Sequence, residues 1–172
     1  MQRKAKVFLT GLGGLLTFAW LASRAKAAPP APPEGPSAGA SVAIYDMDGN
    51  LVPQNSPATL GAGAWYTARI TVTNTSLQGG VGVGATLLSG VVVTIAGTRI
   101  LDPGARLDFF AANETKSFDW VFYIDAGSAG ATGSLTGSVF SPALDLLNTA
   151  VEPITVVAAP IIYGATMTVG VV

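Results

Sequence analysis

Neither cysteine nor histidine occurs in the 172 residues, and only 11% of them are charged. The first absence excludes disulfide frameworks, thiolate or imidazole zinc sites, redox dithiols and any nucleophile activated by an imidazole. Catalysis would have to come from carboxylates, hydroxyls, Lys or Arg. Basic charge is scarce too: beyond residue 28 only Arg69, Arg99, Arg106 and Lys116 face all ten acids, giving 4 − 10 = −6. Four scattered cations on an acidic body lack the clustering that phosphate neutralisation requires, so nucleic acid is not an expected partner. No cofactor is implied either. Gly80-Val81-Gly82-Val83-Gly84 lacks the Gly-Lys-Ser/Thr ending and the following helix of a phosphate loop, and reads as a bend or bulge.

What is present begins with the other five cations. Arg3, Lys4 and Lys6 precede an uncharged apolar run, Val7–Ser23, and Arg24 and Lys26 follow it; Ala25-Lys26-Ala27-Ala28 has the small-x-small form of a cleavage site. These are the parts of a secretory signal. The run of 17 residues also reaches the lower limit for a membrane-spanning helix, so a retained anchor over residues 1–28, holding the membrane through residues 7–23, is the alternative. Both readings place the body outside the cytoplasm, at a cell surface, in a periplasm or on an envelope. Residues 29–40 are rich in Pro, Ala and Gly and form a semi-extended spacer, reaching about 35 Å when stretched.

From residue 41 to 158 apolar residues recur in twos, enriched in Val, Ile, Thr and aromatics and broken by Gly, Pro, Asn and Asp. The pattern predicts an all-β domain, a two-sheet β-sandwich of immunoglobulin-like or jelly-roll type. Expected strands are Ser41–Asp46, Leu51–Gln54, Trp65–Asn74, Ala85–Leu88, Val91–Ala96, Arg106–Phe110, Lys116–Asp125, Thr132–Phe140, Ile154–Ala158 and Ile161–Val171. In Trp65–Asn74 the inward set is Tyr66, Ala68, Ile70 and Val72; in Lys116–Asp125 it is Phe118, Trp120, Phe122 and Ile124. Only Pro142–Asn148 looks helical, for one or two turns.

Two stretches carry a resemblance. Tyr66–Ser76, with its Val72-Thr73-Asn74 ending before a turn, and Phe110–Trp120, with Asn113-Glu114 before Phe118-Asp119-Trp120, resemble the cell-adhesion-related (CARDB-like) immunoglobulin-fold domains of prokaryotic surface proteins. Ser76 and Asn113 stand where glycine is commoner in that pattern. The resemblance implies an adhesive or spacer role and carries no catalytic residues.

Three groups are candidate sites. Asp46, Asp48 and Asn50, with Gly49 between, place alternating oxygens as a calcium loop does, although no closing Glu follows and Asp48-Gly49 between apolar strands is the ordinary signal of a type I′ hairpin. Trp65 and Tyr123, on outward faces, could form a platform for a sugar ring. Residues 159–172 form an apolar, uncharged terminal strand in which Ile161, Tyr163, Met167, Val169 and Val171 are candidate oligomer contacts, because such a strand at an open edge invites pairing with another chain. Asn74-Thr75-Ser76 and Asn113-Glu114-Thr115 match the N-glycosylation pattern, and turn roles suffice for both asparagines. The composite expectation is a non-catalytic, exported or tethered structural or adhesive subunit of a surface or envelope assembly, partnered by itself or by other surface proteins. A coat or accessory protein of a membrane-containing virion and a carbohydrate-binding module are the alternatives.

Overall fold

The structure, a computed structural model, describes residues 35–54 and 57–159. The basic and apolar N-terminal segment, most of the spacer and the terminal strand with Ile161, Tyr163, Met167, Val169 and Val171 lie outside the described residues. Among those described, no helix is long and apolar enough to cross a membrane.

The described residues form eleven strands: β1 (Ala38–Tyr45), β2 (Ala58–Gly61), β3 (Trp65–Asn74), β4 (Leu77–Gln78), β5 (Val81–Gly82), β6 (Ala85–Val93), β7 (Arg99–Ile100), β8 (Arg106–Phe110), β9 (Thr115–Tyr123), β10 (Thr132–Phe140) and β11 (Leu146–Val157). A four-stranded sheet runs β1-β3-β9-β7, a five-stranded sheet runs β2-β11-β10-β6-β8, and β4 and β5 make a small hairpin. Every pairing is antiparallel except β2 with β11, which is parallel. The chain alternates between sheets so that β3 pairs β9 in one and β6 pairs β10 in the other. That is the Greek-key arrangement of an immunoglobulin-like sandwich, with the first sheet in the A-B-E-D order.

Alternation decides what each strand buries. Tyr66, Ala68, Ile70 and Val72 of β3 point inward beside Trp120 and Phe122 of β9, and Leu87, Val91, Leu135, Val139, Ile154 and Val156 answer from the second sheet. Phe118 packs at the margin of this core. Gly137 marks the closest approach of the sheets: a Cβ there would lie 2.5 Å from Val42 Cγ1 and 2.8 Å from Ile70 Cδ1. Trp120 is almost wholly buried, and its indole N–H donates to Gly104 O at 3.0 Å, tying the β7–β8 loop to the core.

Several local expectations need correction. Strand β1 begins at Ala38, three residues before the expected start, because Ala38, Gly39 and Ala40 find ladder partners in Asn74, Thr73 and Val72. Ala85–Val93 is one strand rather than two, running through Gly90 against β10. Leu51 forms a single bridge to Tyr45 instead of opening a strand. The Asp48-Gly49 turn is not type I′. Only Gly49 has positive φ (82°), Gly49 N–H donates to Asp46 O and Asp46 N–H to Asn50 O, the signature of a three-residue loop with glycine in the left-handed position. The two-glycine turn occurs instead at Gly79 and Gly80, both with positive φ, between β4 and β5. Pro142–Asn148 is not helical. The Ser141 hydroxyl accepts from the Ala143 and Asp145 N–H groups, Leu144 sits at φ 68°, and the chain from Leu146 onward joins the β10 ladder. One turn of helix forms one or two internal bonds, and the ladder supplies more.

The end of β3 is closed by Asn74, which is fully buried. Its amide donates to Val83 O (2.8 Å), Ala111 O (2.9 Å) and Phe110 O (3.4 Å), and its Oδ1 accepts from Ser76 N–H (3.0 Å). Replacing Asn74 by Ala is expected to cost about 2–4 kcal/mol by removing the buried amide that donates to Val83 O, Phe110 O and Ala111 O. Asn74→Asp, isosteric but without donors, should be at least as damaging. Denaturant midpoints of the two variants check this, and an unchanged midpoint for Asn74→Asp would show that the donors are dispensable.

Candidate functional site

The outward face of the four-stranded sheet gathers two of the sequence-derived groups. Register stacks its residues in rows: Trp65 beside Tyr123 beside Arg99, then Tyr45, Thr67 and Val121, then Ala43, Arg69 and Asp119, then Ser41, Thr71 and Ser117. Trp65 and Tyr123 are direct cross-strand partners, with ring centroids 4.9 Å apart and planes tilted by 48°. Trp65 is 38% exposed, Tyr123 half-buried. The platform foreseen from sequence is therefore an actual pair, though its rings are tilted rather than coplanar.

Next to it, Tyr45, Asp46, Met47, Gly49, Thr67, Arg69 and Asp119 line an open depression of about 210 Å³, smaller than the ~300 Å³ at which ligand pockets begin. Its charges are engaged with each other. Arg69 forks onto Asp119 through Nε and Nη2, both at 2.8 Å, and lies 4.8 Å from the centre of the Tyr45 ring. The Asp119 carboxylate raises the affinity of the guanidinium for its proton. Lower on the face, Thr71 bonds Ser117 (2.9 Å) and Thr73 bonds Thr115 (2.8 Å).

The Asp46 loop is built inward on itself. Asp46 Oδ1 accepts from the N–H groups of Asp48 (3.0 Å) and Asn50 (2.8 Å), and Oδ2 accepts from the Asn50 amide at 3.0 Å. The Asn50 amide, followed by the backbone N–H groups, holds the Asp46 carboxyl below the usual carboxylate range. Among the described residues no group of three or more acidic, His or Cys side chains is placed to hold a metal ion.

Three further carboxylates have partners. Asp102 pairs with Arg106 (2.7 Å) and Asp108 with Lys116 (3.0 Å), and in both the cation lowers the carboxyl pKa. Asp125 accepts from Gly127 N–H and caps the 3₁₀ turn Ala126–Ser128. Both glycosylation-pattern asparagines serve turns: Asn74 is enclosed, and Asn113 is exposed in the β8–β9 turn at φ 59°, a conformation Asn tolerates and glycine prefers.

The second outward face, on the five-stranded sheet, was not assigned by periodicity. Leu146, Phe140, Leu88 and Leu107 lie in one cross-strand row over β11, β10, β6 and β8. Phe109 and Val92 extend it along their strands, and its exposed members are among the largest apolar side chains open to solvent. The signal in sequence is that Leu107 and Phe109 alternate with Arg106 and Asp108, so one set had to face water, and alternation alone does not say which.

No protein family and no curated protein matches this chain in sequence. Among solved structures, the chain is similar to the CARDB domain of a Pyrococcus furiosus protein crystallised in complex with di-metal ions, at 12% identity over 73% of this chain and 97% of that one, TM-score 0.50. It is also similar to a FixG-related protein from Vibrio parahaemolyticus (8% identity, 67% and 94% covered, TM-score 0.41) and to a Niemann-Pick type C2 protein from the Japanese carpenter ant (7%, 74% and 97%, TM-score 0.42). The first likeness establishes a CARDB-like fold, in agreement with the resemblance carried by Tyr66–Ser76 and Phe110–Trp120.

Because loop amides already occupy the Asp46 carboxylate, millimolar calcium is expected to leave the melting temperature unchanged. A rise of several degrees would instead reveal a loop that opens around the ion. Acid should loosen the same loop: a carboxyl with lowered folded-state pKa contributes stability above its unfolded value, near 3.9, that is lost as pH falls through the folded value. Asp46→Asn should flatten the melting temperature profile below pH 4.

Proposed function

We infer that this chain is a non-catalytic structural or adhesive subunit, exported or held at a membrane by residues 7–23, that works by binding other surface subunits. The observation that carries this reading is the contrast between the two outward faces. One pairs Arg69 with Asp119, Thr71 with Ser117 and Thr73 with Thr115 across β3 and β9. The other presents unpaired apolar side chains in a continuous row, a surface suited to contact with a partner. Asp102, Asp108 and Asp119 are each bound to a cation, which suits solubility and strand registry better than proton transfer. The CARDB-like fold accords with a spacer or adhesive module, and the basic and apolar leader with a body delivered outside the cytoplasm.

A second reading, recognition of carbohydrate, is favoured by one observation, the exposed Trp65 ring paired with Tyr123 and flanked by Arg99.

Protein purified from its native source should run as a concentration-dependent oligomer in light scattering, with its body cleaved by protease added outside intact cells. A protease-shielded monomer would overturn the assembly reading. For the second reading, soluble glycans should quench or shift Trp65 emission, and Trp65→Ala should abolish the change while leaving the fold intact. Silence across a glycan array with folded protein removes it.

A further inference from the structure

Three of the four cations among the described residues are neutralised. Arg69 pairs with Asp119, Arg106 with Asp102, and Lys116 with Asp108 and Glu114, whereas Arg99 makes no ion pair among the described residues. Register fixes its place. Arg99 is exposed on β7 and opposes Tyr123, which in turn opposes Trp65 on β3, while the next residue, Ile100, opposes buried Phe122 and packs on the core. Arg99, Tyr123 and Trp65 therefore stand in one row on the outward face, adjacent positions being about 5 Å apart. A guanidinium without a carboxylate of its own ends a row that begins with an aromatic pair.

The charge around this row differs from that of the whole body. Of the outward positions of β1, β3, β9 and β7, only Arg69, Asp119 and Arg99 are charged, a sum of 2 − 1 = +1 on a body of −6. Asp46 and Asp48 follow β1, three strand spacings from β7, about 14 Å and beyond the ~8 Å screening length at physiological salt. Asp125 is nearer in sequence, and its carboxylate accepts from Gly127 N–H.

We propose that this row binds a hexuronate residue of an acidic polysaccharide, with a face of the pyranose ring on Trp65 and Tyr123 and its carboxylate on Arg99. The inference rests on the carbohydrate reading above and names the class of sugar. The aromatic pair selects a ring with an apolar face, and an uncompensated guanidinium selects a carboxylate, which it holds through two parallel N–H bonds. Openness selects a chain over a free sugar. The depression beside the row, about 210 Å³, is open, and the outward positions from Trp65 to Arg69 span about 14 Å of β3, more than one ring covers. Arg69, with its fork filled by Asp119, offers polar contact to hydroxyls rather than a second anion site.

The test titrates the full chain calorimetrically with oligomers of glucuronate, galacturonate and mannuronate, each beside its carboxyl-reduced counterpart. At least one uronate oligomer is expected to bind about tenfold tighter than its reduced form, the contribution of one charge-assisted pair, and tighter than the free monomer. Arg99→Gln should bring the charged-to-reduced ratio close to one, Arg99→Lys should keep part of it, and Trp65→Ala should abolish binding of both forms, with circular dichroism and melting temperature unchanged throughout. If charged and reduced oligomers bind alike, or Arg99→Gln leaves the ratio unmoved, the uronate assignment is wrong and the carbohydrate reading stands. A free monomer that binds as tightly as the oligomer overturns the polysaccharide. Folded wild type that binds neither form but captures a neutral glycan on an array overturns the uronate alone; silence on the array as well overturns both.

Discussion

The sandwich depends on one buried amide. At the end of β3 the chain leaves the first sheet, makes the β4–β5 hairpin and enters the second sheet at β6, while the β8–β9 turn crosses back nearby. The backbone carbonyls of Val83, Phe110 and Ala111 converge there, and the Asn74 amide donates to all three while its oxygen takes the Ser76 N–H. Ser76 then clasps Ser37 through both N–H and C=O, fixing the start of β1 to the same corner. Without this cluster the crossover would bury orphaned carbonyls or open to water, and either outcome loosens both sheets.

With the crossover closed, each face of the sandwich acquires its character from strand registry. On the first sheet, register brings Arg69 opposite Asp119, Thr71 opposite Ser117 and Thr73 opposite Thr115, so polar groups are neutralised by neighbours on the next strand. On the second, register lines up Leu146, Phe140, Leu88 and Leu107. One buried carboxylate stands apart: Glu152 lies among core residues opposite Leu135, and its Oε1 has no hydrogen-bond partner among the described residues.

Legibility followed the strength of local pattern. The boundaries of β3, β8 and β10 and the inward sets of β3 and β9 could be read directly, because alternation over five or more residues leaves one apolar side. The Trp65–Tyr123 pairing could be foreseen only as two outward aromatics; their adjacency is a matter of the β3–β9 register. The expected helix at Pro142–Asn148 and the type I′ turn at Asp48-Gly49 failed for a common reason. Both were inferred from a few residues whose local preference is worth little against a ladder or a loop closed by a side chain such as that of Asp46 or Ser141.

Sequence alone determined that the body is all-β, that it does without disulfide and imidazole chemistry, that it is acidic while residues 1–28 are basic, and that its fold resembles a CARDB-like sandwich. These follow from composition and from periods of two residues, which are local properties. Tertiary structure decided the choice of immunoglobulin-like over jelly-roll topology, the burial of Asn74, the engagement of the Asp46 carboxylate and the gathering of apolar side chains on one sheet. Each depends on which distant strands pair and in what register, and a one-residue slip would reverse every face.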